Sequence, residues 1–305
     1  MRDNVSGLSP LDGAALTPDP NPLDSLSPAS GPLSRRALVK ASLSVGFCAA
    51  IAPVRAQTIA TSAAGLIAGE AKVPAGDAEI PAYRAMPEGG GPFPTVVVVH
   101  EIFGVHEHIK DVCRRWARLG YYAIAPELFA RQGDAAKETD IAKLMATIVG
   151  KKPDAEVASD LDAAFAFAKA SGSADLARAA IVGFCWGGRQ VWLYAAHNPR
   201  LKAAVAWYGP LAAPASDLTP KNPPDVVGEL KVPTLGLYGG VDKAIPLDQT
   251  EAMRAKLAAA GGASRIIVYP DAGHAFFADY RPSYVEADAK ASWQEATAWL
   301  KAHGV

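Results

Sequence analysis

The stretch Ala180-Ile181-Val182-Gly183-Phe184-Cys185-Trp186-Gly187-Gly188 runs a short apolar segment into a cysteine that has glycine two residues to either side. The apolar run reads as a buried strand, and Arg189 onward has helical periodicity, so the stretch is a strand that turns sharply into a helix. A turn this tight forces its central residue into a strained backbone conformation and leaves no room for side chains at the flanking positions, which accounts for the glycines. It throws the Cys185 side chain above the sheet, at a helix N-terminus whose partial positive charge favours a thiolate. The backbone N–H of Trp186 then faces the place where an oxyanion would develop beside that sulfur. A strand, turn and helix that merely bury an inert cysteine would show the same pattern, so the partners of Cys185 have to decide.

Outward from this turn, strand-like runs alternate with helical ones. Thr95–His100, Tyr121–Ala125, Ala179–Phe184, Ala203–Tyr208, Thr234–Tyr238 and Arg265–Tyr269 are short and apolar. His108–Leu119, Thr139–Val149, Ala155–Ala170, Arg189–His197, Gln249–Ala260 and Ala287–His303 carry the helical period. Alternating β and α elements imply an α/β fold with a mostly parallel central sheet and helices on both faces. In such sheets sites form beyond the carboxyl ends of the strands, where loops converge.

Two such ends supply partners for the thiol. Asp242 follows the strand Thr234–Tyr238 in Gly239-Gly240-Val241-Asp242, and His274 follows Arg265–Tyr269 in Pro270-Asp271-Ala272-Gly273-His274. Alone, Asp242 could cap a helix near Pro246 and His274 could bond within its own loop. Together with Cys185 they stand at three strand ends in the order nucleophile, acid, histidine, which favours a Cys185–Asp242–His274 triad. Asp271 would have to fold back on His274, Asp279 and Asp288 come after it, and His197 and His303 fall at helix ends. His100, His106 and His108 with Glu101 and Glu107 invite a metal reading, but Gly104 stands where a metalloprotease helix needs its second histidine, so no metal is expected. The segment after Thr95–His100 should border the turn, making the Ile102 N–H the second oxyanion donor. Glu101 is then either a surface charge or a carboxylate that controls the thiol's proton.

Bulk properties bound the partners. With 30 basic and 31 acidic residues among 305, and no basic run interleaved with aromatics in the globular part, nothing favours nucleic acid; a small, neutral or mildly charged substrate fits better. Residues 1–32 are rich in Pro, Ser, Asp and Gly and are expected to be disordered. Ser34-Arg35-Arg36, a moderately apolar stretch over 41–52 and the small residue Ala56 resemble a twin-arginine signal peptide cleaved near Ala56, with the twin-arginine export machinery as partner and the periplasm or exterior as destination. The apolar stretch is too short to favour a spanning helix, so no stable membrane association is expected. Cleavage removes Cys48, leaving Cys113, on the apolar stripe of a helix, and Cys185. Residues 57–305 show no repeat or linker and read as one domain, expected as a monomer without cofactor.

The set His100-Glu101-Ile102-Phe103-Gly104, Pro126-Glu127-Leu128-Phe129-Ala130-Arg131-Gln132, Gly183-Phe184-Cys185-Trp186-Gly187-Gly188, Trp207-Tyr208-Gly209, Gly239-Gly240-Val241-Asp242 and Gly273-His274-Ala275-Phe276 resembles the dienelactone hydrolase (carboxymethylenebutenolidase) family of the α/β-hydrolase fold. The resemblance covers nearly all of residues 57–305. It implies Cys185 as nucleophile, Asp242 and His274 as its triad partners, Glu101 as a carboxylate that helps activate the thiol, and Ile102 and Trp186 as oxyanion donors. It also implies hydrolysis of a small lactone or activated ester through a thioester. One departure concerns substrate choice: the family binds a substrate carboxylate with two arginines, whereas here Arg281 is displaced in sequence and no arginine lies between Gln132 and Arg178. Arg281 and Tyr208 are the expected pocket residues. A broad-specificity carboxylesterase, cutinase-like in one form, and a non-catalytic ligand-binding or thiol-sensing protein are the alternatives.

Overall fold

The computed structural model describes residues 59–305. The leader expected over 1–56, with Arg35, Arg36, Cys48 and Ala56, lies outside the described residues. Six strands pair in parallel: β3 (Phe93–Val99), β4 (Tyr122–Pro126), β5 (Ala174–Phe184), β6 (Ala203–Trp207), β7 (Thr234–Gly239) and β8 (Arg265–Tyr269). An antiparallel hairpin of β1 (Leu66–Ala75) and β2 (Ala78–Pro87) extends one edge, giving the order β1-β2-β4-β3-β5-β6-β7-β8. The helices are α1 (Glu107–Arg118), α2 (Ile141–Thr147), α3 (Asp154–Ala170), α4 (Trp186–His197), α5 (Leu247–Ala260) and α6 (Glu286–Ala302).

The β-branched runs form the central strands because they are buried on both faces: Val96 to Val99, Ile181 and Val182 have no exposed surface. Cross-strand neighbours Gly183, Ala206 and Gly236 form a row of small residues under α4. A Cβ built on Gly183 would lie 2.9 Å from Val191 Cγ2, and one on Gly236 would lie 3.0 Å from Trp192 Cζ2. Trp207, next to Ala206, points to the opposite face, where its Nε1–H donates to Ser292 Oγ of α6 at 3.1 Å. On that face Trp116 of α1 packs on Trp293 of α6, with ring centroids 4.4 Å apart. Helices therefore cover both sides of the sheet.

The largest differences from the sequence reading each have a physical reason. The hairpin was not anticipated because β1 is half-solvated and its apolar residues are interrupted by Gly69, Glu70 and Lys72. Strand β5 begins at Ala174 rather than Ala179; its first residues include Asp175 and Arg178, which pair at 2.7 Å outside the apolar run. Helix α4 begins at Trp186, three residues before Arg189, since two glycines hide a helix start by their low propensity.

Gly183→Ala should therefore destabilise the fold by about 1–3 kcal/mol through overpacking, because its Cβ would also lie 2.6 Å from the Gly187 carbonyl oxygen. Gly262→Ala, where nothing lies within 4 Å, should leave the thermal midpoint unchanged. Equal midpoints for the two variants would contradict the tight α4 contact.

Candidate active site

At the end of β5 the chain turns into α4 through Cys185, whose φ of 52° and ψ of −122° place it in a region that L side chains rarely occupy. The turn is held by the Cys185 N–H donating to the Trp207 carbonyl at 3.0 Å. Its glycines are steric necessities: a Cβ on Gly187 would sit 2.5 Å from the carbonyl oxygens of Val99 and His100, and one on Gly188 would sit 2.5 Å from that of Trp207. Tyr208 (φ 36°) and Ala275 (φ 61°) are the other non-glycine residues with positive φ among those described. All three strained residues lie at the same strand ends, so the strain is concentrated where the candidate side chains converge.

The three expected residues meet in a line. His274 Nε2 lies 3.2 Å from Cys185 Sγ, and its Nδ1 lies 2.8 Å from Asp242 Oδ2. The other oxygen of Asp242 accepts the N–H groups of Ala244 at 2.7 Å and Ile245 at 3.1 Å, which fixes the carboxylate. Burial pulls the His274 imidazole down, but its contacts with Cys185 and Asp242 outweigh it and push His274 up to about 10. Such a histidine keeps its proton through neutral pH.

Trp186 is the first residue of α4, so its N–H has no partner within the helix. Among the described residues no protein acceptor takes the Ile102 N–H. Ile102 and Trp186 also share a small apolar cluster with Phe103, Phe129, Ile141, Leu144 and Ile148, which seats α2 over this side of the site.

Glu101 is buried, but its hydrogen bond goes elsewhere than the thiol: it accepts the Tyr280 hydroxyl, and its other oxygen lies 3.8 Å from Arg281 Nη2. Burial would raise this carboxyl; the Arg281 guanidinium and His106 beside it hold it well below the usual carboxylate range. Arg281, displaced in sequence, is brought to the site all the same. Its Nε donates to Tyr280 Oη at 3.0 Å and its guanidinium lies over the Phe103 ring at 4.9 Å. Tyr208 is fully buried with its ring edge-on to His274 at 5.2 Å, and its hydroxyl has no protein partner.

Several supporting residues went unassigned in the sequence. Asp279, set aside as a triad acid, accepts His108 Nδ1 at 2.9 Å and Arg115 at 2.5 Å, and Arg115 Nε donates to Asp111 at 2.6 Å. This buried network ties the loop carrying Tyr280 and Arg281 to α1. The spacing of Asp111 and Arg115 on one helix face was the available signal. Glu127 accepts the Val105 N–H at 2.6 Å and so braces the segment that carries Ile102. Among the described residues no group of three or more His, Cys, Asp or Glu side chains is placed to hold a metal ion.

The profile of the Dienelactone hydrolase family matches residues 80–304. A provisionally named carboxymethylenebutenolidase of Methylorubrum extorquens is 60% identical over 274 residues, covering 90% of this chain and 94% of its own. One of Escherichia coli with the same provisional name is 51% identical over 260 residues, covering 85% and 96%. A crystal structure described as a provisional dienelactone hydrolase from Klebsiella pneumoniae superimposes with a TM-score of 0.76 at 54% identity, covering 77% of this chain and 98% of that one.

The Cys185–His274–Asp242 contacts predict the state of the imidazole. A raised group keeps its proton through neutral pH and loses it only as pH climbs through its own value. NMR titration of the His274 ring should thus give a midpoint near 10, and Asp242→Asn should lower it. A midpoint at the ordinary imidazole value of about 6.5 would contradict the raised histidine.

Proposed function

The chain belongs to the dienelactone hydrolase family, and we propose that it cleaves a small lactone or activated ester through a thioester on Cys185. It is a hydrolase of that family. The observation that carries the reading is the continuous line of contacts from Asp242 through His274 to Cys185 Sγ, 2.8 and 3.2 Å long. The Cys185 thiolate attacks the substrate carbonyl carbon, and the carbonyl electron pair moves to oxygen, received by the N–H groups of Ile102 and Trp186. Collapse of the adduct expels the alkoxide or enolate, which takes the proton held on His274 Nε2. Neutral His274 then draws a proton from water as the water attacks the thioester. The second collapse releases the acid and restores the thiolate and imidazolium. Asp242 holds the ring orientation throughout.

Glu101 enters this scheme through Tyr280 and Arg281, fixing the pocket wall beside the sulfur, since its hydrogen bond goes to Tyr280. The carboxymethylenebutenolidase names of the relatives favour a lactone carrying a carboxylate. A second reading, a carboxylesterase for neutral esters, is favoured by Arg281 already having Glu101 and Tyr280 as partners. Rates on matched esters with and without a free carboxylate separate the two. The non-catalytic alternative has no observation in its favour. Export by the twin-arginine route to the periplasm or exterior is proposed from Arg35-Arg36 and the apolar run that leads to Ala56.

Cys185→Ala should lower kcat/KM on a small aryl ester by at least about 10³-fold, while the protein stays folded. Iodoacetamide should label Cys185 and spare Cys113, which is fully buried and whose thiol burial pushes up. Retained esterase activity in Cys185→Ala, or equal labelling of the two cysteines, would contradict the assignment.

A further inference from the structure

We infer that His100 is a positioning residue that aligns both oxyanion donors, a role that rests on the thiolate mechanism above. The ring has no exposed surface and is bonded at both nitrogens. The Leu128 N–H donates to Nε2 at 3.0 Å, so Nε2 carries no proton. The proton is on Nδ1, which donates to the Glu101 carbonyl oxygen at 2.6 Å. Burial lowers the His100 imidazole, which keeps this neutral tautomer in place despite the nearby Glu127 carboxylate.

The Glu101 carbonyl and the Ile102 N–H belong to one planar trans peptide. Pinning the oxygen on one side fixes the direction of the N–H on the other, and that N–H is one of the two proposed oxyanion donors. The same imidazole stacks on the indole of Trp186, which carries the second donor, with ring centroids 5.6 Å apart and planes 17° apart. Phe129 closes the triangle, 5.0 Å from His100 and 4.5 Å from Trp186. The backbone repeats the contact, because a Cβ on Gly187 would lie 2.5 Å from the His100 carbonyl oxygen. A single neutral imidazole thus holds the peptide of one donor, touches the residue of the other, and anchors both to the loop after β4. Oxyanion stabilisation depends on donors held in place before charge develops, so the role should show in turnover and not in substrate capture.

His100→Phe and His100→Met both keep an apolar filler against Trp186 and remove both hydrogen bonds, so either one that folds decides the matter. On p-nitrophenyl acetate each should lose about tenfold to hundredfold in kcat with KM within about twofold of native. The iodoacetamide alkylation rate of Cys185 should stay within about twofold, because alkylation forms no oxyanion. His100→Gln, whose amide offers a donor and an acceptor, should recover part of kcat. A kcat within about twofold of native in the apolar variants, or kcat and alkylation falling together, overturns the assignment. Cys185→Ala in the same assay tells the two readings apart. If it retains activity, the thiolate mechanism and the role of His100 fall together. If it is inactive while His100→Phe turns over at the native rate, only the role of His100 falls.

Discussion

The site depends on one steric constraint, the close approach of the first turn of α4 to the ends of β3, β5 and β6. Side chains of any size at Gly183, Gly187 or Gly188 would collide with backbone: the built Cβ positions lie 2.6, 2.5 and 2.5 Å from carbonyl oxygens. With that approach made, Cys185 adopts positive φ, and Trp186 opens the helix, so its N–H has no partner within it. The His100 carbonyl lies against the same turn, which brings the Ile102 segment alongside. Local backbone packing, set by four glycines counting Gly209, thereby determines where the chemistry can occur.

Electrostatics then divides the site into two parts. On one side Asp242, His274 and Cys185 form a line of direct contacts, 2.8 and 3.2 Å long. On the other, Glu101, Tyr280 and Arg281 pair among themselves and present a compensated wall. The buried Asp279–Arg115–Asp111 network keeps this wall in register with α1. Removing one member of such a network leaves an uncompensated buried charge, which typically costs about 3–5 kcal/mol, so the wall is held more rigidly than its loop position suggests.

The parallel strands, the six α-helices among the described residues and the meeting of Cys185, Asp242 and His274 were legible in the sequence because each rests on local signals: β-branched runs, helical periodicity, and a cysteine, an acid and a histidine beyond three strand ends. What sequence could not supply was pairing across distance. Glu101 stood next to the expected oxyanion donor, yet its partners Tyr280 and Arg281 lie about 180 residues away along the chain. Asp279 looked like a spare triad acid until Arg115 and His108 were seen to hold it. The hairpin of β1 and β2 was missed for a related reason: its solvated face breaks the apolar run that marks a buried strand.

The central claim is that Cys185 carries the acyl group. Intact-mass spectrometry within the first turnover of a slowly hydrolysed aryl ester tests it most directly. The account predicts a transient mass increase equal to the acyl group, mapped to the peptide containing Cys185 and absent from Cys185→Ala. Steady turnover with no adduct at any time, or an adduct on another residue, would contradict it.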